Sequence, residues 1–272
     1  MIRYIELARP QNCLMAGIAI AIGGLIGAEG TFVGHVLPIA LASIIGCIIT
    51  AGGNAINDLY DARIDAINRP YRPIPSGKIS TNNALIFSLS LFFIGITLSF
   101  FINPICFFIA LLSSIALIYY SHTLKRTILW GNLCIGYLVG STFLFGGAAV
   151  GGFVATLVPF LLAMLATVGR EIVKDIEDIE GDREEGTLTM PIAIGEKRSA
   201  AIASMFILLT ILLSPLPAML NLFGVTYLMI ICLADISFLA SIVTIKKPSI
   251  SSSFLKSGMI VALFAFIVEV LI

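Results

Sequence analysis

The chain has 272 residues, 58% of them hydrophobic and only 12% charged, with 16 basic and 16 acidic residues and no net charge. A soluble domain carries about a quarter charged residues, so this composition, with a mean hydropathy of +1.05, excludes an ordinary water-facing globule and points to an integral membrane protein. The balanced charge also points away from a nucleic-acid partner.

A helix needs about 20 apolar residues to cross the hydrocarbon layer. Runs of that kind occupy 12–28, 35–56, 83–102, 104–121, 130–150, 152–173, 199–218, 222–245 and 254–272, which predicts nine spans in an all-α bundle. The first run lacks a small-residue cleavage site followed by a polar mature chain, so it is read as a retained span. Only Asn103-Pro104 divides the third run from the fourth, and only the stretch G146GAAVGG152 divides the fifth from the sixth. Cys13, Cys47, Cys106, Cys134 and Cys232 are scattered singly through these runs. They read as packing residues, not as a disulfide or zinc framework. His35 and His122 stand alone as well, without the partner ligands a metal site requires.

The loops divide sharply by charge. With the N-terminus inside, the inner segments are 1–11, 57–82, 122–129, 174–198 and 246–253. They hold every Lys and Arg except Arg170 and Lys256, which fall at the inner ends of spans. Basic residues favour the cytoplasmic side. The pattern predicts a multi-pass protein of the cell membrane, in contact with membrane lipid, with its N-terminus and its polar segments in the cytoplasm.

Two of those inner segments concentrate acid. N57DLYDARID65 holds Asp58, Asp61 and Asp65, and D175IEDIEGD182 holds Asp175, Asp178 and Asp182 at a constant offset of 117 residues. P73IPSG77 lies over P191IAIG195 at one residue more. This suggests one domain, 1–272, built as a quasi-repeat of halves at about 1–129 and 130–272, with a central cavity between them as repeats often form in membranes. On a helix, positions four apart drift by about 40°, so Asn57, Asp61 and Asp65 share a face that Asp58 can join. The second stretch has the same spacing, with Gly181 as a helix stop within it.

Six carboxylates drawn to one cavity repel one another, at roughly 4 kcal/mol per pair 4 Å apart for an effective dielectric of 20. They must take up protons or be neutralised by cations. Hard oxygen donors without Cys or His select Mg²⁺, which binds through one or two carboxylates and completes its shell with water and substrate phosphate. Asp58, Asp61, Asp65, Asp175, Asp178 and Asp182 are therefore the candidate metal ligands. A solvated acidic loop is the commoner meaning of a single charge run. Two runs of one spacing, on one side and at the ends of spans, favour metal. Arg63, Arg69 and Arg72 follow the first stretch and Lys125-Arg126 closes the fourth span; these can bind diphosphate oxygens or simply anchor the inner side, which is the better account of Lys197, Arg198, Lys246 and Lys247. Tyr119 and Tyr120 lie near this rim, where aromatic faces stabilise a cation or anchor the interface. Asp235 is a lone acid inside the eighth span with no partner evident in the sequence.

The two acid stretches, together with R69PYRPIPSG77 and Y120SHTLKR126, resemble the UbiA superfamily of intramembrane prenyltransferases, whose signatures are NDxxDxxxD and DxxDxxxD. The resemblance covers essentially the whole chain. It implies a nine-helix bundle open sideways to lipid and Mg²⁺-dependent transfer of an isoprenyl group from its diphosphate. It places Asn57, Asp61 and Asp65, with Asp58 beside them, and Asp178 and Asp182, with Asp175, at the metal and diphosphate positions; Asp61, Asp65, Asp178 and Asp182 are the implied catalytic set. Lys125 and Arg126 match diphosphate-contacting positions. A8RPQNCLMAGIAIAIGGLIGA28 and R170EIVKDIEDIEGDREEGTLTMPI192 are most similar to the archaeal ether-lipid branch. That kinship implies a prenyl diphosphate donor and a lipid-phosphate acceptor: geranylgeranyl diphosphate and the free hydroxyl of geranylgeranylglyceryl phosphate, joined as digeranylgeranylglyceryl phosphate.

Three other functions compete. The same fold can prenylate an aromatic acid or quinone precursor. A CDP-alcohol phosphotransferase requires Asp-Gly-x-x-Ala-Arg, an order that Asp61-Ala62-Arg63 lacks. A divalent-cation transporter would place its ligands near the bilayer midplane, whereas all six aspartates lie at one end of their spans beside basic residues.

Overall fold

A computed structural model describes residues 2–31, 33–184 and 186–272 of the chain. Among the described residues there are helices and no strand. Nine of the described helical stretches are long and apolar enough to cross a membrane, as the apolar runs predict. The chain opens with a short helix, α1 (Ile2–Ala8), followed by α2 (Pro10–Gly27), α3 (Val36–Tyr60), the short α4 (Ala62–Asn68), α5 (Thr81–Phe100), α6 (Pro104–His122) and α7 (Trp130–Ala149). Then come α8 (Leu157–Glu177), two short helices α9 (Ile179–Glu184) and α10 (Met190–Ile194), α11 (Glu196–Leu213), the brief α12 (Leu216–Met219), α13 (Val225–Val243) and α14 (Pro248–Leu271). Compared with the apolar runs, α3 and α8 extend further at their polar ends and carry Asp58 and Asp175 inside the helix.

Helix boundaries follow from proline and side-chain caps. Pro10, Pro104 and Pro248 open α2, α6 and α14, where a missing N–H costs nothing. Asn103 divides α5 from α6 because its Oδ1 accepts from the Cys106 amide at 2.8 Å, while its Nδ2 donates to the Ala148 carbonyl at 2.8 Å. Ser80 caps α5 by accepting from the Asn83 amide.

The chain forms two compact units: residues 1–124 with 141–156, and residues 125–140 with 157–272. In the first, α3 packs against α1, α2, α5 and α6. Ile20, Ile45, Ile49, Ile56, Phe92 and Phe145 form its main buried cluster, and Leu7, Ala55, Ile74 and Ile79 a second one beneath the loop that follows α4. Lipid tails are as apolar as leucine, so helix contacts in a membrane rely on close approach of small residues. Here α2 meets the end of α7 through Gly23 and Gly146: a Cβ on Gly146 would lie 2.0 Å from the Ile20 carbonyl oxygen, and one on Gly23 would lie 2.4 Å from that of Phe143.

In the second unit α8 packs on α11 and α14, and α13 lies along α14. Tyr227 is fully buried against Phe223 and stacks on Phe266. Its hydroxyl donates to the Ser214 carbonyl at 2.7 Å, just before Pro215 breaks the chain between α11 and α12. Ser214 also supplies the partner the sequence does not show for Asp235: its hydroxyl lies 2.7 Å from Asp235 Oδ2. The lone acid thus sits at a proline break, a site where polar groups are left over by the helix.

Gly146→Ala is expected to destabilise the folded chain by about 1–3 kcal/mol through overpacking, seen as a lower melting temperature and folded yield in detergent. Gly34→Ala is its control, since a Cβ there meets nothing within 4 Å and should change stability by less than about 0.5 kcal/mol.

Candidate active site

The first acid stretch begins on α3 and continues through a joint at Asp61 into α4. The Asp61 amide donates to the Asn57 carbonyl (3.0 Å) and the Asp65 amide to the Asp61 carbonyl (2.8 Å). The four-residue ladder therefore runs through the joint and keeps Asn57, Asp61 and Asp65 on one side, as the spacing predicts. All three aspartates are buried: Asp58 is 3% exposed, Asp61 8% and Asp65 6%. Each has a polar partner. Asn57 Nδ2 donates to Asp61 Oδ2 at 3.0 Å. Arg72 Nη1 donates to Asp65 Oδ2 at 2.5 Å and to Asp58 Oδ1 at 3.3 Å. Arg9, at the corner between α1 and α2, pairs with the same Asp58 oxygen through Nη2.

The second stretch repeats the backbone in a different setting. Asp178 is the joint between α8 and α9, its amide donating to the Lys174 carbonyl (2.9 Å), and the Asp182 amide donates to the Asp178 carbonyl (3.0 Å). Gly181 does not stop the helix: α9 runs through it to Glu184, because this ladder continues beyond it. Asp178 is exposed, and Asp175 and Asp182 are half-buried. An open recess of about 350 Å³ is lined by Glu177, Asp178, Glu180, Gly181 and Asp182. Burial, reinforced by the Asp178 carboxylate, pushes the Asp182 carboxyl above its ordinary range. Asp175 receives a hydrogen bond of 2.8 Å from Asn132 Nδ2, which comes from the start of α7.

The remaining candidates are distributed less tightly. Arg63 on α4 and Arg69 just past it are exposed. Lys125 and Arg126 are exposed in the short 3₁₀ turn Leu124–Arg126 that follows α6. Tyr119 is exposed and Tyr120 half-buried on α6. His122 meets the ring of Tyr60 edge-on, 5.2 Å between centroids. In the sequence, Arg9 reads as part of the inner-side charge bias and Asn132 carries no signal of its own. The usable signal was a polar residue close to the polar end of a span, but neither lies near its aspartate in the chain.

This donor set fits a hard divalent ion. It is all oxygen, and guanidinium groups already stand as cations against two of the buried carboxylates. Among the described residues no three acidic, His or Cys side chains converge closely enough to hold a metal by themselves.

The model of the UbiA prenyltransferase family matches residues 14–265. The chain belongs to this family. It is 46% identical over 282 residues to the digeranylgeranylglyceryl phosphate synthase of Methanosarcina mazei, covering 98% of each chain. A solved structure of a digeranylgeranylglyceryl phosphate synthase is 42% identical and superposes with a TM-score of 0.89, over 98% of this chain and 97% of that one. A UbiA homologue from Archaeoglobus fulgidus bound to DMAPP and Mg²⁺ shares the fold at 18% identity, with a TM-score of 0.72 over 96% of this chain and 99% of that one.

The unequal burial of the two stretches has a consequence for stability. Asp58→Asn removes the charge that faces two guanidinium groups and is expected to cost about 1–3 kcal/mol, whereas exposed Asp178→Asn should stay within about 0.5 kcal/mol. Thermal unfolding of the two purified variants checks both values.

Proposed function

We propose that this UbiA-family enzyme transfers a geranylgeranyl group from geranylgeranyl diphosphate to the free hydroxyl of geranylgeranylglyceryl phosphate, forming digeranylgeranylglyceryl phosphate for archaeal ether-lipid synthesis. The observation that carries this reading is the near-full-length likeness to synthases of that product, in a chain that keeps both acid stretches intact. Charge bias supports an orientation in which both stretches face the cytoplasm, where a soluble diphosphate head can reach them.

Of the six candidate carboxylates, Asp61, Asp65, Asp175, Asp178 and Asp182 would hold the metal, the first two buried and the others more exposed; Asp58, the sixth, already faces Arg9 and Arg72. The homologue solved with DMAPP and Mg²⁺ supports magnesium as the ion. When bound, magnesium neutralises the charge that develops on the departing diphosphate. Asn57 holds Asp61 in place through its amide. Arg63, Arg69, Arg72, Lys125 and Arg126 contribute the cations that bind diphosphate oxygens. The bond between the allylic carbon and the diphosphate oxygen breaks with its electron pair on oxygen. The acceptor hydroxyl oxygen then bonds to that carbon, and its proton passes to a carboxylate or to the released diphosphate. The apolar helix walls keep out water, which would otherwise consume the allylic cation.

Asp61→Ala and Asp178→Ala are each expected to lower turnover by at least about a thousandfold, the scale of a lost charge-stabilising group, while the protein still folds. Excess EDTA should abolish activity and Mg²⁺ restore it. Mass spectrometry of the products formed when geranylgeranyl diphosphate is offered together with geranylgeranylglyceryl phosphate and an aromatic acid tests the acceptor. Prenylation of the aromatic acid alone overturns the lipid reading.

A further inference from the structure

Asp58 and Arg9 have no role in the chemistry above, yet they form an ion pair in the first unit. Asp58 Oδ1 is gripped from two sides, by Arg9 and by Arg72. Arg72 also bridges to Asp65, its Nη1 lying 2.5 Å from Oδ2 and 3.3 Å from Asp58 Oδ1. Magnesium approaches a carboxylate oxygen at about 2.0–2.1 Å, so a metal ion on Asp65 would compete with the Arg72 cation for the charge of the same carboxylate. The two arginines are not equally free to yield. Arg9 has a left-handed backbone, φ 52, a conformation that costs a non-glycine residue about 1–2 kcal/mol and persists where its surroundings over-determine it. Those surroundings are visible: the Ala8 carbonyl accepts from Asn54 Nδ2 at 2.8 Å and from Cys13 Sγ at 3.1 Å, and Asn54 lies on α3 one turn before Asp58. Arg72, in contrast, lies in the irregular segment after α4, although its side chain is the less exposed of the two, 15% against 31% for Arg9.

We infer that Arg72 is a stand-in cation that occupies Asp65 until a metal diphosphate takes its place, and that Asp58 and Arg9 are positioning residues that keep it within reach. This rests on the metal–diphosphate reading proposed above. Arg72 leaves Asp65 but keeps Asp58 as its pivot, and so turns toward the diphosphate oxygens. Asp58, already shared by two guanidinium groups, is held for the arginines and not for metal. Two guanidinium groups offset most of the charge of the three buried carboxylates, and metal without diphosphate meets a built-in competitor.

The test is Mn²⁺ binding, followed by electron paramagnetic resonance on the full chain in detergent with no prenyl diphosphate present. Arg72→Gln should bind Mn²⁺ about two- to fivefold more tightly than wild type, the scale of one partly exposed ion pair, while its KM for geranylgeranyl diphosphate rises. Arg72→Lys, which keeps a cation, should bind Mn²⁺ like wild type, and millimolar free guanidinium should return Arg72→Gln toward the wild-type affinity. Unchanged or weaker Mn²⁺ binding in Arg72→Gln, or no detectable binding in either protein, overturns the inference. Wild-type protein gives a second measurement that needs no variant to fold: phenylglyoxal modification mapped by mass spectrometry. Mg²⁺ alone should speed modification of Arg72, and added inorganic diphosphate should slow it. Protection by Mg²⁺ alone, or no change, overturns the inference. Failure of wild type to transfer a prenyl group counts against the functional reading only, because both measurements are made without turnover.

Discussion

Removing an ionised carboxylate from water costs several kcal/mol unless a partner of opposite charge goes with it, and α3 takes Asp58 into its last buried turn with Asp61 and Asp65 just beyond. Much of the first unit's polar architecture answers that demand. The chain doubles back after α4 so that Arg72 returns to the helix it has just left. The corner between α1 and α2 accepts a strained residue so that Arg9 can reach the same oxygen. Asn54 and Asn57, one turn apart on α3, fasten that corner and Asp61 respectively. Ile74 and Ile79 bury the returning loop against Leu7 and Ala55, so apolar packing brings the guanidinium to its carboxylates.

The second acid stretch shows what the same backbone becomes without those arginines. Both stretches break a long helix at their middle aspartate and resume it in a short one, so the carboxylates before and after the joint stay in register. Around Asp178, however, there is an open recess, and Asp175 accepts from the neutral amide of Asn132. One bank is buried with guanidinium groups against it, and the other is more exposed.

The membrane-spanning body serves a different purpose and uses different forces. Large apolar side chains such as Phe93, Phe101, Leu212 and Met229 are more than two-thirds exposed, which is stable only in lipid. Contacts between helices rely on glycine clearances, as at Gly23 and Gly146, and on hydroxyls that satisfy carbonyls released at breaks, as at Ser214.

The sequence by itself determined the nine apolar helices, the identity of the acid residues and the continuity of the first motif along one helix face, because hydrocarbon thickness and helical periodicity are local constraints that neighbouring residues satisfy or fail; in the second motif Gly181 reads as a stop that the helix passes through. Asn103-Pro104 was legible as a boundary for the same reason. Only the tertiary structure decided that Arg72 holds Asp58 and Asp65, that Arg9 reaches Asp58 from 49 residues away, that Asn132 orients Asp175, that Ser214 partners Asp235, and that one acid bank is buried while its repeat is open. Those outcomes depend on loops and corners whose ends meet through packing, and charge pairing in a medium of low dielectric is settled by distances of a few ångströms that spacing along a chain does not encode.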